Sequence, residues 1–145
     1  MKKELSKAAI AAKAMREDLK KVFPIIKFKV ISQTFADGNG IRVSWENGPS
    51  VPSVESVILK YQYGHFNYSK NVYKLSNIIK NIPQVKHVST SRSMSRNVED
   101  SILEMLHQKF PKDCGGMNKY GYVKRFNASV LEMIWREFYD MDLFD

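Results

Sequence analysis

Residues 27–46, KFKVISQTFADGNGIRVSWE, contain two runs of alternating apolar and polar residues on either side of a glycine-rich segment. This alternation is typical of strands that bury one face. The DG and NG pairs at residues 37–40 tolerate positive φ angles and therefore suit a hairpin turn. We predict a β-hairpin with a single apolar face. That face consists of Phe28, Val30, Ile41, Val43 and Trp45.

The segments that flank the hairpin have the spacing of helices. Small and apolar residues recur every three or four positions from about Leu5 to Phe23, which predicts a helix that covers the apolar face of the hairpin. The second strand should end at residues 47–49, NGP, because proline lacks the amide hydrogen that a paired strand needs. Ser50 is then expected to cap a second helix, which should end near Gly64.

The second half of the chain gives weaker signals up to residue 94 and clearer ones beyond it. Residues 65–84 are predicted to be irregular, with a short helix around 75–79. Residues 85–93 are predicted to form a third strand, although their alternation is poor. Apolar spacing predicts two further helices, one from residue 95 or 97 to 110 and one at about 127–138, joined by a glycine-bearing loop.

The expected fold class is α+β, with a small antiparallel sheet (the hairpin plus the third strand) flanked by about four helices. A length of 145 residues is typical of one domain with one core. We therefore expect residues 1–145 to form a single domain. In it, residues 8–73 would form a helix-hairpin-helix core, and residues 74–145 a mainly helical extension.

The formal net charge of +8 is concentrated in the first part of the sequence. Residues 126–145 contain one arginine against five acidic residues, which leaves a charge of +12 on residues 1–125. Such a positive field attracts polyanions, including nucleic acid, with a strong dependence on salt. Many basic proteins bind no nucleic acid, so the charge alone does not decide the function.

Membrane-spanning and disulfide-stabilised classes are disfavoured. No apolar stretch approaches the roughly 18–20 residues that cross a bilayer, and the start of the sequence does not resemble a signal peptide. Cys114 is the only cysteine, so no internal disulfide can form. We expect a cytoplasmic protein that does not bind a membrane.

Residues 14–67 contain an ordered set of short motifs. They are LKKVFP at 19–24, KFKV at 27–30, GNGIRVSW at 38–45, NGP at 47–49, VE at 54–55 and GHF at 64–66. In this order they resemble the Large polyvalent protein-associated domain 29 family, over about residues 8–73. The resemblance implies a module of phage or conjugative-element proteins that enter the recipient cell with the DNA and protect or assist it. It transfers no catalytic residues, because the family has no agreed activity.

The segment STSRSMSRN at residues 89–97 lies just before a predicted helix. Helix N-termini expose amide groups that attract phosphate. Arg92 and Arg96 are therefore candidate contacts to nucleic acid. The alternative is that this segment is a loop that caps the helix.

The outward face of the hairpin is the second candidate surface. Its cations, together with those of the first helix, would hold phosphates, and Tyr63 and Tyr68 would offer rings on which bases stack. The candidate cations are Arg16, Lys20, Lys27, Lys29 and Arg42. The alternative is that the aromatic residues of this region fill the core, which applies more to Tyr61 and Phe66.

The sequence offers little support for catalysis or for metal binding. His65, His87 and His107 are widely separated and Cys114 has no partner cysteine, so we predict no metal site and no cofactor. A nucleophile formed by Cys114 and a histidine stays open as an alternative, although no recognised motif surrounds this cysteine.

The leading hypothesis is a non-catalytic accessory protein of a phage or conjugative mobile element. It would bind nucleic acid through a basic face and act as DNA enters a new cell, or against host defence. The alternative is a protein-binding inhibitor of a host defence nuclease, such as a CRISPR effector or a restriction enzyme. An enzyme centred on Cys114 is a third hypothesis.

Overall fold

A computed structural model describes residues 6–143. The helices in this range are α1 (Lys7–Val22), α2 (Val51–Ile58), α3 (Arg96–Lys109), α4 (Pro111–Cys114) and α5 (Val130–Tyr139). The strands are β1 (Lys29–Phe35), β2 (Gly38–Glu46), β3 (Gly64–Asn67), β4 (Val72–Leu75), β5 (His87–Ser93), β6 (Tyr122–Val123) and β7 (Ala128–Ser129). The predicted α+β class is confirmed. The predicted helix start near Leu5 and the terminal acidic residue Asp145 lie outside the described residues.

Strands β1, β2 and β5 form a central sheet in the order β1-β2-β5. β1 and β2 pair antiparallel, with Val30 opposite Val43, so the predicted hairpin is confirmed. The third strand is also present, but it runs parallel to β2, with Ile41 opposite Val88. It was expected to be antiparallel. The difference arises because α2 and the β3-β4 hairpin lie between the two strands and return the chain to the same end of the sheet.

Helix α1 covers the apolar face of the hairpin, as predicted. Met15 and Leu19 of α1 are fully buried against this face. Phe28 precedes β1, is half-buried, and places its ring 5.6 Å from that of Trp45. The buried residues of the hairpin itself are Val30, Ile41, Val43 and Trp45.

Residues 65–84 differ from the prediction. Instead of an irregular segment with a short helix, they contain the β3-β4 hairpin, in which Phe66 faces Tyr73. The expected helix at 75–79 does not form, because the side chain of Gln84 binds the backbone there. It accepts a hydrogen bond from the amide of Ile79 and donates one to the carbonyl of Asn77.

Two helix boundaries also differ from the prediction. α2 ends at Ile58 and continues as a single 3₁₀ turn over Leu59–Tyr61, so it stops before Gly64. α5 begins at Val130 and not near Asn127, because Ser129 is its N-cap and accepts a hydrogen bond from the amide of Glu132. Asn127 itself has a left-handed backbone with φ of 48°, which ends the preceding turn.

A second hydrophobic cluster joins α3 to α5. Ile102 and Leu106 of α3 pack there with Ile134 and Phe138 of α5, and all four are buried. No helix in the described part of the chain is long and apolar enough to cross a bilayer.

Arg92 links the central sheet to the C-terminal end of α5 through hydrogen bonds. Its guanidinium donates hydrogen bonds of 2.6–2.9 Å to the backbone carbonyls of Asn47, Gly48, Phe138 and Met141. It also lies 3.8 Å from the centroid of the Phe138 ring. Burial lowers the pKa of this arginine.

This geometry corrects the prediction that Arg92 contacts phosphate. Arg92 lies opposite Trp45 in the β2-β5 ladder and therefore points to the buried side of the sheet. Its donors bind carbonyl oxygens, and a phosphate would have to displace them. We assign Arg92 a structural role.

Asp142 and Leu143, which follow α5, form hydrogen bonds with residues at the start of α2. The amide of Leu143 donates a hydrogen bond of 2.8 Å to the carbonyl of Gly48. The carboxylate of Asp142 accepts hydrogen bonds of 2.8 Å from the Ser50 amide and from the Ser53 hydroxyl. These bonds lower the pKa of Asp142, and the Ser50 amide contributes most to the shift.

We predict that Arg92→Ala lowers the free energy of unfolding by about 2–4 kcal/mol, because four carbonyl groups lose a charged donor. Arg96→Ala is the matched control, since Arg96 is exposed at the first position of α3, and it should change stability by less than about 0.5 kcal/mol. Urea denaturation followed by tryptophan fluorescence measures both. Equal losses in the two variants would contradict the structural role of Arg92.

We also predict that Asp142→Asn destabilises the protein at neutral pH and makes no difference in acid. The pKa of Asp142 is lowered in the folded state, so its contribution is present above the ordinary value of about 3.9 and is lost as the pH falls through the folded value. Because this carboxylate is largely exposed, the neutral-pH loss should be about 1 kcal/mol or less.

Urea denaturation at neutral pH and in acid tests this, with the exposed Asp140→Asn as control. A stability gap between Asp142→Asn and the parent protein that is equal at both pH values would refute the prediction.

Candidate nucleic-acid interface

The central sheet buries one face, and its other face is exposed to solvent. Alternate residues of each strand point away from α1, and the register of the three strands brings them together. We call this surface the open face. Its side chains are those of Lys29, Ile31, Gln33, Phe35, Arg42, Ser44, Glu46, His87, Ser89, Ser91 and Ser93. All are exposed except Ser44, which is half-buried.

Two of the predicted cations lie on the open face. Lys29 faces Ser44 and Arg42 faces Ile31, so the two cations occupy diagonal positions on neighbouring strands. The Cα atoms of such a diagonal pair are about 7–8 Å apart. Both are exposed. Across residues 6–143, the ion pairs join other residues and leave Lys29 and Arg42 unpaired. Their charges are therefore available to an anionic ligand.

Three more predicted cations form what we call the basic edge, which consists of Arg16, Lys20 and Lys27. They line a groove of about 440 Å³ between the end of α1 and the chain that leads into β1. Arg16 donates a hydrogen bond of 2.6 Å to the carbonyl of Val30, which fixes its side chain against the edge strand. Lys27 lies two residues before Lys29, so the basic edge adjoins the open face.

Arg96 belongs to a different part of the surface. It lines a hollow whose other charged side chains are Glu99, Asp100 and Lys119. Lys119 pairs with Glu99 at 3.1 Å, which leaves the carboxylate of Asp100 to repel an anion. Ser95 caps α3 by accepting a hydrogen bond from the amide of Val98, and its own amide donates to the side chain of Asn47. The loop around Ser95 thus caps the helix, which was the alternative in the sequence prediction.

The two predicted stacking residues have different surroundings. Tyr63 is half-buried and makes an edge contact of 5.9 Å with the ring of Tyr73. Tyr68 is 87% exposed, and its ring lies 4.7 Å from that of Phe66. Tyr68 is therefore the more accessible ring of the two.

The structure adds three rings that the sequence reasoning did not select. The rings of Phe35 and His87 stack at 6.0 Å on the open face, and Tyr73 contacts His87 edge-on at 5.6 Å. We call the whole group the ring cluster; it consists of Phe35, Phe66, Tyr68, Tyr73 and His87. The outward direction of Phe35 follows from strand alternation, whereas the position of His87 depends on the pairing of β5.

The surroundings of Cys114 do not resemble a nucleophile site. The thiol is buried and lies 3.4 Å from the carbonyl of Leu106, and burial raises its pKa. His107 is the nearest histidine in sequence, and its Nε2 contacts the carbonyl of Met117 at 2.6 Å. In residues 6–143, no three histidine, cysteine or acidic side chains lie close enough to hold a metal ion.

Comparison with known families matches residues 6–95 to the family described as Large polyvalent protein associated domain 29. The match extends beyond the resembling segment and includes α1, the central sheet and the β3-β4 hairpin, and hence the whole open face. Neither the curated proteins nor the solved structures show a significant match to the chain. Because the family model covers more than half of the chain, the protein belongs to the Large polyvalent protein associated domain 29 family and is associated with mobile elements.

Proposed function

We propose that this protein binds nucleic acid through the open face and the basic edge, and that it does so without catalysing a reaction. The observation that carries the proposal is the exposure of Lys29 and Arg42 on a sheet face that also displays Ile31 and Phe35. Ile31 and Phe35, at 38% and 40% exposure, give this face apolar surface that can contact bases while the unpaired cations hold phosphates.

The distribution of charge supports the same proposal. The first 125 residues carry a formal charge of +12, and they include the whole central sheet. The five cations of the open face and the basic edge lie in the second half of α1, just before β1, and in β1 and β2, where a phosphate backbone could follow them. Asp142 near the acidic end of the chain does not neutralise them, since it binds Ser50 and Ser53, and Glu132 and Glu137 pair with Arg136 and Lys109.

Membership in a family associated with mobile elements supports a role beside DNA that moves between cells. A basic binding module would assist such DNA as it enters the cell, or shield it from host defence. The function is then that of an accessory protein of a phage or conjugative element.

A second candidate is an inhibitor that docks on a host defence nuclease. Exposed apolar residues next to the basic edge favour it, since Val22 and Ile25 are 53% and 74% exposed. Such residues are typical of protein contacts more than of phosphate contacts.

Fluorescence anisotropy with labelled DNA at increasing salt tests the proposal. We expect Lys29→Glu and Arg42→Glu each to weaken binding by about tenfold, and to lower the slope of log affinity against log salt by about one. Lys112→Glu is the matched control, because it changes the net charge equally on the exposed surface of α4. It should alter affinity by no more than about twofold.

Two outcomes would overturn the proposal. The first is an equal loss of affinity in Lys29→Glu and Lys112→Glu, which would show attraction by net charge alone. The second is the absence of binding at low salt, which would favour the nuclease inhibitor.

A further inference from the structure

We propose that the ring cluster receives an unpaired base, so that the protein prefers single-stranded nucleic acid to duplex. This inference rests on the proposed function, because it names the form of nucleic acid that the open face binds. It depends on a different set of side chains from the cations that hold phosphate.

The ring cluster provides a preformed surface for stacking. Phe35 and His87 stand on the two outer strands of the sheet, and their rings are separated by 6.0 Å with an interplanar angle of 30°. Gly40 lies between them on β2 opposite His87, and it has no side chain to cover the rings. A flat base could therefore contact ring surface at this end of the open face.

A hollow beside these rings has the size of a small ligand site. It has a volume of about 380 Å³, within the usual range of about 300–1,000 Å³ for ligand pockets. Its lining residues are Asp37, Phe66, Tyr68, Tyr73, Lys86 and His87. Four of the six are rings, so the hollow suits an aromatic ligand.

The walls of the hollow are fixed by hydrogen bonds. The hydroxyl of Tyr73 donates to the carbonyl of Lys86, and the ammonium of Lys86 donates to the carbonyl of Asp37 at 2.8 Å. The Lys86 ammonium also lies 5.1 Å from the centroid of the Tyr73 ring. Tyr68 is 87% exposed and takes no part in these bonds, so its ring is accessible to a ligand.

The charges of the hollow suit a neutral base. The Asp37 carboxylate and the Lys86 ammonium both line it and leave no net charge, and the carboxylate can accept a hydrogen bond from an amino or imino group of a base. Phosphates would instead reach Arg42, which faces Ser89, two residues along β5 from His87. Bases at the ring cluster and phosphates at the cations thus occupy neighbouring parts of one face.

A duplex cannot use the ring cluster, because its base faces are stacked inside the helix.

From Phe35 to Lys29, β1 spans about 20 Å at roughly 3.3 Å per residue, which leaves room for several nucleotides of an extended strand. Single-stranded DNA or RNA offers the flexible backbone and bare bases that this arrangement requires.

The test compares strands that carry bases with a strand that carries none, and with a duplex. Fluorescence anisotropy would measure the affinity for labelled oligo-dT and oligo-U of about 12 nucleotides, for an abasic DNA strand of the same length, and for a duplex. We expect at least one base-bearing strand to bind about tenfold more tightly than the abasic strand. In Tyr68→Ala and His87→Ala, the ratio of the affinity for the base-bearing strand to that for the abasic strand should fall towards one. The affinity for the abasic strand itself should stay unchanged.

Two further variants serve as controls. Tyr120→Ala removes a tyrosine that is 77% exposed outside the ring cluster, so it should keep the tenfold ratio. Tyr68→Phe keeps a stacking ring and should also preserve the ratio.

The outcomes separate this inference from the proposed function. Equal affinity for base-bearing and abasic strands, still weakened by Lys29→Glu, would overturn the inference and leave phosphate binding intact. An equal fall of the ratio in Tyr120→Ala and Tyr68→Ala would overturn it as well. No binding to any strand at low salt would overturn the proposed function, and the inference with it.

Discussion

The packing of α1 against one face of the three-stranded sheet is the constraint on which the rest of the structure depends. Met15 and Leu19 of the helix belong to the same hydrophobic cluster as Val43 of the sheet, and all three are buried. Because side chains alternate along a strand, burial on this side forces Lys29 and Arg42 to the other side. A slip of one residue in register would exchange the two faces, so the same apolar contacts that stabilise the fold also fix the open face.

The attachment of the C-terminal helices explains why this face stays uncovered. Arg92 points to the buried side of β5 and holds the backbone around Phe138 and Met141 there. The side chain of Asn47 holds Ser95 at the start of α3. α3 and α5 pack mainly on each other, so their apolar faces are already satisfied without the sheet. The family match ends at residue 95, where these helices begin.

Strand alternation in the hairpin was sufficient to predict the buried face and the exposure of Lys29 and Arg42. The role of Arg92 could not be predicted, since β5 is rich in serine and its alternation does not reveal which side is buried. Only its parallel pairing with β2 sets that direction. The ring cluster escaped prediction for a related reason: Phe35 and His87 are distant in sequence, and the pairing of three strands brings them together. Local sequence patterns predict which face of a strand is buried, whereas the pairing of distant strands determines which side chains come together in a site.

The most direct measurement of the central claim is a titration of isotopically labelled protein with oligo-dT, followed by the chemical shifts of its backbone amides. If the open face binds nucleic acid, the shifts that change should belong to β1, β2 and β5 and to the β3-β4 hairpin beside the ring cluster. The amides of α3 and α5 should stay constant, apart from those next to Arg92. Changes centred on α3 and α5, with the sheet unaffected, would contradict the account.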